Sequence, residues 1–547
     1  MKRMLSSAQA ACGLSLLCCL GWAVPLVNPY HDWIYHDSGE ASSIFVPVLI
    51  SMALLWAVFA GLLWFAEGRR VAVWSGVLCF LPWLLLKDAA LLCGVVLGHR
   101  LSMALFVGSG VCWIGLLALW RTSFMPLFVR LQRFSNSMLM FAGVCGVLVA
   151  GQLVWYFQDA RQLELPGVVH AAGAARSVDE VRSMRRAGGG RIIWIILDEL
   201  SYRQVYEHRY ASLALPAFDR LADQATVFTQ VRPTANYTEM AVPALMMGTA
   251  VDRTRAGSDG RLRLRNSETG RWQQFDQRDT VFQDALNRGY LTAAAGWYNP
   301  YCRILPEVLD RCRWVYREDY AGGMFSDASV GSNLAALWRA LAGHFVPRQS
   351  ADNSRESETS AHVADYVDLV AAGDELLRDP SIGFLLLHMP VPHPGGIYDR
   401  RTGSFTSHTA SYIDNLALAD RYLGHVRQVL EARGEWDSSA VVVMGDHSWR
   451  TKLIWRDTPG WTAEDEAASD GGKFDDRPAY IVKLPHQKSG GRVDSPFAAT
   501  RTRALLQGIM EGSLGSKGEL AAFAGQGATV QVGSIRAGGE GLPSRGR

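Results

Sequence analysis

Three stretches of the sequence place acids or histidines directly at the ends of apolar runs. The side chains are Asp198 and Glu199 after RIIWIIL, His388 and His393 in GFLLLHMPVPH, and Asp446 with His447 after VVVMG. Carboxylate oxygens and imidazole nitrogens are suitable ligands for zinc or manganese. Taken singly, an acid at such a position could be a helix N-cap and a histidine between prolines could end a loop. The three together predict a metal site.

The elements that must position these side chains are short apolar runs alternating with longer amphipathic segments, a pattern typical of an α/β domain. Because ligand sites in open α/β sheets collect at the carboxyl ends of strands, we expect the three ends to converge. A fourth element, YTEMAVPALMMG, begins near Thr238 and continues through Pro243 into an apolar helical run. The N-terminus of such a helix favours a phosphate group, although a lone threonine there is usually a capping or solvent-facing residue.

The composition divides the chain into two parts. Hydrophobic residues make up 49% of the sequence and charged residues 19%, which is too apolar for a purely soluble protein. Before residue 157, five segments approach the roughly 20 apolar residues that cross a bilayer as a helix. The predicted helices are 10–27, 44–65, 71–97, 103–120 and 138–157. Lys87 and Asp88 in the third mark a helix end or an interfacial position.

The distribution of Lys and Arg predicts how these helices are oriented. Basic residues precede the first segment and occupy the second and fourth loops, whereas the first loop, NPYHDWIYHDSGEASS, has none. Because cytoplasmic loops carry the excess of positive charge, the N-terminus is expected in the cytoplasm and the part after residue 157 outside. A cleaved signal peptide explains the first segment less well, since four more apolar segments follow.

The remaining sequence is interpreted as a polar linker at 158–190, a folded exterior domain at 191–510 and a Gly- and Ser-rich disordered tail at 511–547. The formal net charge of +2, without a cluster of Lys and Arg, excludes a nucleic-acid partner. Cys302 and Cys312 lie outside the apolar segments. They predict a local disulfide if the compartment is oxidising, or two buried thiols otherwise.

With these motifs together, the exterior domain resembles the alkaline phosphatase superfamily, in particular its membrane-bound sulfatase-like branch of phosphoethanolamine transferases and lipoteichoic acid synthases. The similarity covers roughly 191–487, and the five preceding helices match the layout of those transferases. The resemblance implies an α/β fold, an alkaline-phosphatase-like sandwich with a central, mainly parallel sheet, preceded by an all-α five-helix transmembrane domain. The sulfatase nucleophile motif, C-x-P-x-R, is missing from the matching position.

The resemblance also implies roles for individual residues. Thr238, five residues before Pro243, matches the catalytic nucleophile of that branch. The implied ligands of one zinc or manganese ion are Asp198 or Glu199 or both, Thr238, Asp446 and His447. The implied substrate-binding histidine is His393, with His388 as a second candidate. The segment SWR follows the Asp-His pair where many relatives have a glycine.

The implied activity is a membrane-anchored transfer of a phosphoethanolamine or phosphoglycerol head group. The donor would be a membrane phospholipid, and Thr238 would pass the head group to a glycan or lipid acceptor of the cell envelope. The implied location is the bacterial inner (cytoplasmic) membrane, with several spans and the catalytic domain on the periplasmic or extracellular side. One alternative is a phosphodiesterase or sulfate-ester hydrolase of the same superfamily, and another is a non-catalytic membrane sensor or assembly protein.

Overall fold

The structure is a computed structural model that describes residues 2–27, 41–65, 70–93, 99–119, 124–163, 190–256, 261–316, 329–343 and 352–526. The helices α1 to α15 are Lys2–Val27, Ala41–Phe65, Arg70–Leu92, His99–Leu119, Phe124–Leu163, Pro216–Ala222, Thr238–Met247, Val281–Asn287, Tyr301–Ile304, Val330–Gly343, Asp352–Arg378, Tyr412–Ala432, Ala463–Ala468, Thr502–Glu511 and Lys517–Gly525. The strands β1 to β15 are Ile192–Leu197, Thr226–Phe228, Val231–Arg232, Val251–Ala256, Leu262–Asn266, Trp272–Gln274, Leu291–Trp297, Arg311–Val315, Ile382–Met389, Gly396–Asp399, Ser404–Ala410, Ala440–Met444, Tyr480–Lys483, Gly491–Val493 and Phe497–Ala498.

Each of the five predicted apolar segments falls on a helix, α1 to α5. Four of these helices are long and apolar enough to cross a membrane, whereas the apolar part of α4, Leu101–Gly115, is shorter. The predicted start of the last helix at 138 is too late, since α5 begins at Phe124. Its first turns bury Phe128 and leave Arg130 and Arg133 exposed, so an amphipathic stretch extends the helix beyond its apolar part.

Two glycines allow α1 and α5 to pack closely. A Cβ atom added to Gly13 would lie 2.1 Å from the carbonyl oxygen of Leu139, and one added to Gly143 would lie 2.1 Å from that of Gln9. The Gln9 side chain donates a hydrogen bond to the carbonyl of Met140 at 3.1 Å. Small residues at a helix crossing and an interhelical hydrogen bond are typical of packing between membrane helices.

The predicted linker at 158–190 begins inside a helix, because α5 continues to Leu163; residues 164–189 lie outside the described part of the chain. A side-chain contact also joins the helical region to the α/β domain. The Asn333 side chain of α10 donates a buried hydrogen bond of 2.9 Å to the carbonyl of Ser43 in α2. The α/β domain therefore touches the helical region directly through α10.

A central sheet of eight strands carries the exterior domain, in the order β14-β2-β13-β12-β1-β9-β7-β8. β1 is parallel to both of its neighbours, and Ile196 pairs in register with His388 of β9 and with Met444 of β12. Of the other strands, β13 alone runs antiparallel to its neighbours in this sheet. The predicted α/β fold with a mainly parallel sheet is confirmed. The three strand ends that carry acids or histidines, those of β12, β1 and β9, lie side by side at one edge.

Helices cover both faces of this sheet because the buried central strands are apolar on both sides. Ile193 and Ile195 of β1 pack against the helices α6, α11 and α12, whereas Trp194 and Ile196 pack on the other face with α7, α8, α14 and α15. All six residues of β1 are buried, as expected for an inner strand of a parallel sheet. The core on both faces fixes the position of the strand ends.

The prediction of a disordered tail from 511 is wrong for its first part. Residues 517–525 form α15, whose first turn is closed by a capping box between Ser516 and Glu519. Leu520 and Ala524 are fully buried in the core, so a short amphipathic helix forms despite the small residues around it. Residues 527–547 lie outside the described residues.

Cys302 and Cys312 form a disulfide bond. Cys302 lies in α9, directly after the loop that follows β7, and Cys312 lies in β8, which pairs with β7. The bond therefore ties the edge of the central sheet to the loop beyond its neighbouring strand. Disulfides of this kind are usual in proteins folded in an oxidising compartment.

Candidate metal and phosphoryl-transfer site

The acids of the first strand end lie in a sharp turn after β1. Asp198 and Glu199 are both fully buried, and Glu199 adopts a left-handed backbone conformation, with φ of 64°. Such a conformation is strained for a residue with a side chain, and it is found preferentially at functional sites. The main-chain N–H of Glu199 donates to Oδ1 of Asp446 at 3.1 Å, which joins the ends of β1 and β12.

Asp446 and His447 follow β12, separated from it by Gly445. A Cβ atom on Gly445 would lie 2.7 Å from the Leu200 carbonyl oxygen, so only glycine allows this close approach. His447 Nδ1 lies 3.1 Å from the carbonyl oxygen of Ser448, and its Nε2 lies 3.2 Å from Oδ2 of Asp446. A histidine held at one ring nitrogen by a carbonyl presents the other nitrogen as a ligand.

His388 is the penultimate residue of β9 and is completely buried. Its Nδ1 lies 2.7 Å from the hydroxyl of Tyr301, and its Nε2 lies 3.8 Å from Oδ2 of Asp198. The structure therefore places this histidine among the acids of the neighbouring strand ends rather than at the surface. Tyr301, which holds the ring, was not singled out by the sequence, and its position four residues after β7 carries no recognisable signal.

Thr238 is the first residue of α7, and its side chain points into the same place. Its hydroxyl lies 3.2 Å from Nε2 of His447 and 3.4 Å from Oδ2 of Asp198. Tyr237 precedes it in an extended conformation, so the hydroxyl stands at the N-terminal end of the helix. The structure thus brings together Thr238 and the side chains from three strand ends.

Two overlapping groups of side chains have the geometry of metal ligands. One is Asp198, His388 and Asp446, and the other is Asp198, Glu199 and His447; within each, the ligand atoms lie within 4.8 Å of one another. Three atoms of the first group, Oδ1 of Asp198, Oδ2 of Asp446 and Nε2 of His388, are buried without a hydrogen-bond partner among the described residues. Buried polar atoms of this kind are rare unless an ion or water binds them, so the residues fit a divalent cation.

Burial also gives the two imidazoles the protonation state that a metal requires. Desolvation lowers the pKa of His388 to about 4. Desolvation and the nearby Arg450 guanidinium together lower the pKa of His447 to about 3. Both imidazoles are therefore neutral at neutral pH, the form that binds a cation. Desolvation and the adjacent Asp446 raise the pKa of Asp198 well above its usual range. A bound cation would relieve the repulsion between these two acids.

The carboxylate of Glu199 has different partners from that of Asp198. Arg450 donates to it from its main-chain N–H at 3.0 Å, from Nε at 2.8 Å and from a second guanidinium nitrogen. Trp455 Nε1 lies 2.9 and 3.1 Å from the two carboxylate oxygens. Of the two acids that the sequence leaves as candidates, Asp198 is the one with an unpartnered oxygen among the described residues.

His393 lies in the loop after β9, at the rim of the site. Its side chain is 12% exposed, and Nε2 lies 3.9 Å from Oε1 of Glu199. Asn415 of α12 holds the loop by donating to the His393 carbonyl at 2.7 Å, and the ring packs edge-on against Trp297 and Trp455. This position, between solvent and the buried acids, is open to a substrate.

Trp449, in the SWR segment after the Asp-His pair, packs inside the protein. Its ring is 2% exposed and stacks on Tyr412 with a centroid distance of 4.1 Å and an interplanar angle of 4°. Tyr412 in turn donates to the carbonyl of Glu199 at 2.8 Å. The aromatic pair therefore supports the turn that carries the two acids.

We expect Trp449→Ala to lower the free energy of unfolding by about 3 to 5 kcal/mol, because it leaves a cavity against Tyr412. Thermal unfolding of the full chain in detergent measures the change. Trp272→Ala is a matched control, since that tryptophan is 43% exposed and should cost under about 1 kcal/mol. Equal losses in the two variants would contradict the supporting role of Trp449.

No protein-family model and no curated protein matches the chain. Solved structures similar to it include the lipoteichoic acid synthase LtaP from Listeria monocytogenes (14% identity, 61% of this chain and 78% of the other, TM-score 0.35). A phosphonate monoester hydrolase of Agrobacterium radiobacter matches with 14% identity over 59% of this chain and 77% of the other, with a TM-score of 0.35. A protein of the alkaline phosphatase superfamily from Vibrio parahaemolyticus matches with 12% identity, 59% and 67% coverage and a TM-score of 0.33.

Proposed function

We propose that the protein is a membrane-anchored, metal-dependent enzyme of the alkaline phosphatase superfamily that transfers a phospholipid head group through Thr238 to an acceptor of the cell envelope. The observation that carries the proposal is the position of the Thr238 hydroxyl. It begins a helix and lies 3.2 Å from His447 and 3.4 Å from Asp198, next to buried acid oxygens without partners among the described residues. A hydroxyl in these surroundings is suited to nucleophilic attack on phosphorus.

Asp198, Asp446 and His447 would hold the cation, with His388 as an additional nitrogen ligand and Thr238 facing it. When bound, zinc or manganese lowers the pKa of a coordinated hydroxyl and polarises a phosphoryl oxygen. The N–H groups at the start of α7 bind a further phosphoryl oxygen of the substrate. With His388 included, the ligands come from all three strand ends, which explains why the acids and imidazoles are buried together.

The reaction takes place in two displacements on the same residue. The Thr238 oxygen forms a bond to phosphorus, and the bond from phosphorus to the diacylglycerol oxygen breaks. The proton that leaves the Thr238 hydroxyl passes through solvent and the neutral imidazole of His393, at the rim of the site, to the diacylglycerol oxygen. The head group is then a phosphate ester of Thr238. In the second step an acceptor hydroxyl attacks phosphorus, the bond to Thr238 breaks, and the acceptor's proton returns to the Thr238 oxygen.

The helical region supports a lipid donor and an exterior site. Four helices are long and apolar enough to cross a membrane, and α10 of the exterior domain contacts α2 directly. The donor phospholipid would then be held near the site by the same bilayer as the enzyme. The disulfide between Cys302 and Cys312 suits a periplasmic or extracellular location, in agreement with the distribution of basic loops.

A head-group assay tests this function. The full chain is reconstituted in vesicles containing phosphatidylethanolamine or phosphatidylglycerol labelled in the head group, and envelope lipids and glycans are added as acceptors. We expect diacylglycerol release, a labelled Thr238 peptide after rapid quenching, and label in the acceptor fraction. Label appearing free in water would favour a phosphodiesterase. Absence of both diacylglycerol and labelled peptide would contradict the proposal.

A further inference from the structure

Glu199 and Arg450 form a buried charge pair at the edge of the candidate metal site. The Glu199 carboxylate accepts hydrogen bonds from the main-chain N–H of Arg450, from Nε and from a second guanidinium nitrogen of the same residue. It also accepts from the indole N–H of Trp455. Glu199 and Arg450 are both at least nine-tenths buried. Each carboxylate oxygen therefore already accepts two or more hydrogen bonds. Oδ1 of Asp198 and Oδ2 of Asp446, close by, accept none among the described residues.

A cation could bind Glu199 only by displacing the guanidinium. That exchange would leave the Arg450 charge buried without its counter-charge, which is strongly unfavourable. The guanidinium is further held by the rings of Tyr237 and Trp455, at 5.4 and 5.7 Å from their centroids. Its Nη1 also lies 3.5 Å from the carbonyl oxygen of Asn236, in the segment that leads to the nucleophile. Arg450 is thus fixed on several sides.

We propose that Arg450 is a positioning residue that keeps Glu199 out of the metal's coordination sphere, and so determines how many carboxylates the cation meets. The inference rests on the proposed function, because it concerns the same ion. With Glu199 bound to Arg450, the cation meets the carboxylates of Asp198 and Asp446 and two imidazoles, those of His388 and His447. This set suits zinc or manganese. With Glu199 released, a third carboxylate would face the ion, and oxygen-rich sites suit calcium.

The pair also links three parts of the site that are far apart in the sequence. Glu199 belongs to the turn after β1, Arg450 follows β12, and Asn236 and Tyr237 precede α7. By binding all three, Arg450 sets the distance between the metal ligands and the Thr238 hydroxyl.

Metal content of the full chain in detergent tests the inference without any activity measurement. Purified protein is dialysed against zinc or manganese and the bound ion is counted by elemental analysis; calcium affinity is measured by titration. We expect Glu199→Gln to bind the wild-type ion more weakly, because the buried Arg450 charge then has no counter-charge, and Asp198→Asn to lose the ion. We expect Arg450→Met to bind calcium at least about tenfold more tightly than wild type.

The double variant Glu199→Gln with Arg450→Met is the matched control. It removes both charges of the pair, so its calcium affinity should return to that of wild type. Loss of the ion in Glu199→Gln and in this double variant would overturn the inference, as would an unchanged calcium affinity in a folded Arg450→Met. If Arg450→Met does not fold, retention or loss of the ion in the double variant decides. A wild-type chain that binds no zinc or manganese would overturn the proposed metal site as well.

Discussion

Thr238→Ala is expected to abolish head-group transfer, with a loss of roughly 10³-fold or more in the rate, because the oxygen that forms the bond to phosphorus is removed. The alanine side chain fits the same space at the start of α7, so the fold and the neighbouring ligands should remain. Release of diacylglycerol from labelled phospholipid measures the first displacement, and transfer of label to the acceptor measures the second. Both should fall together, because the head group passes through one residue.

Two further variants make this prediction specific to the hydroxyl. Thr238→Ser keeps an oxygen at the same position and should retain measurable transfer, with a labelled peptide at residue 238. Thr234→Ala removes a hydroxyl that donates to the carbonyl of Ala241 at 3.2 Å, so it probes the stability of the same helix start without touching the acids. Transfer at the wild-type rate in Thr238→Ala would rule out the covalent scheme, whereas equal losses in Thr234→Ala would indicate a structural effect.

The parts of the site that could be predicted from the sequence are those whose signal is local. Val441 to Met444 form an apolar run that is followed, after Gly445, by Asp446 and His447, and a parallel sheet brings such ends to one edge. The same local signal predicts Asp198 and His388 as site residues, because each lies at the end of a buried apolar strand. The register of Ile196 with His388 and Met444 confirms that the three strands are neighbours.

The division of roles between neighbouring residues could not be predicted, because it depends on distant partners. Asp198 and Glu199 are adjacent and chemically alike, yet the partner that distinguishes them, Arg450, lies 251 positions from Glu199 in the sequence. His388 is predicted from the sequence as a second substrate-binding candidate, and its Nε2 lies 3.8 Å from Oδ2 of Asp198. That placement depends on the depth of a side chain in the sheet, which apolar periodicity does not give.

The helix boundaries show a similar limit. The end of the fifth apolar segment was expected at residue 157, but α5 continues to Leu163 because a helix need not stop where its apolar face stops. In the tail, many glycines and serines suggested disorder. The local capping box at Ser516 and two buried residues, Leu520 and Ala524, outweigh that composition. Tertiary burial of a few side chains decided these cases.

Asp446→Asn is expected to lower metal affinity by more than about 100-fold, since substitution of residues that merely support a ligand already costs about 10- to 100-fold. The amide keeps the size of the side chain, and its oxygen can still accept the hydrogen bond that Oδ1 of Asp446 accepts from the Glu199 N–H. It lacks the charge that a cation needs, so transfer should be lost along with the ion. Elemental analysis of the full chain in detergent measures the bound metal.

The stability of this variant, unlike that of wild type, should not depend on metal. An ion at 1,000 times its dissociation constant stabilises the protein that binds it by about 4 kcal/mol, so chelation should lower the melting temperature of wild type and leave that of Asp446→Asn unchanged. Without metal, Asp446→Asn should be at least as stable as wild type, because it removes one of two buried acids that repel each other. Asp494→Asn, an exposed ion-pair residue, should behave as wild type in both conditions. A metal-free Asp446→Asn that melts well below metal-free wild type would mean that the carboxylate stabilises the fold itself, and that the two acids are not held together for a cation.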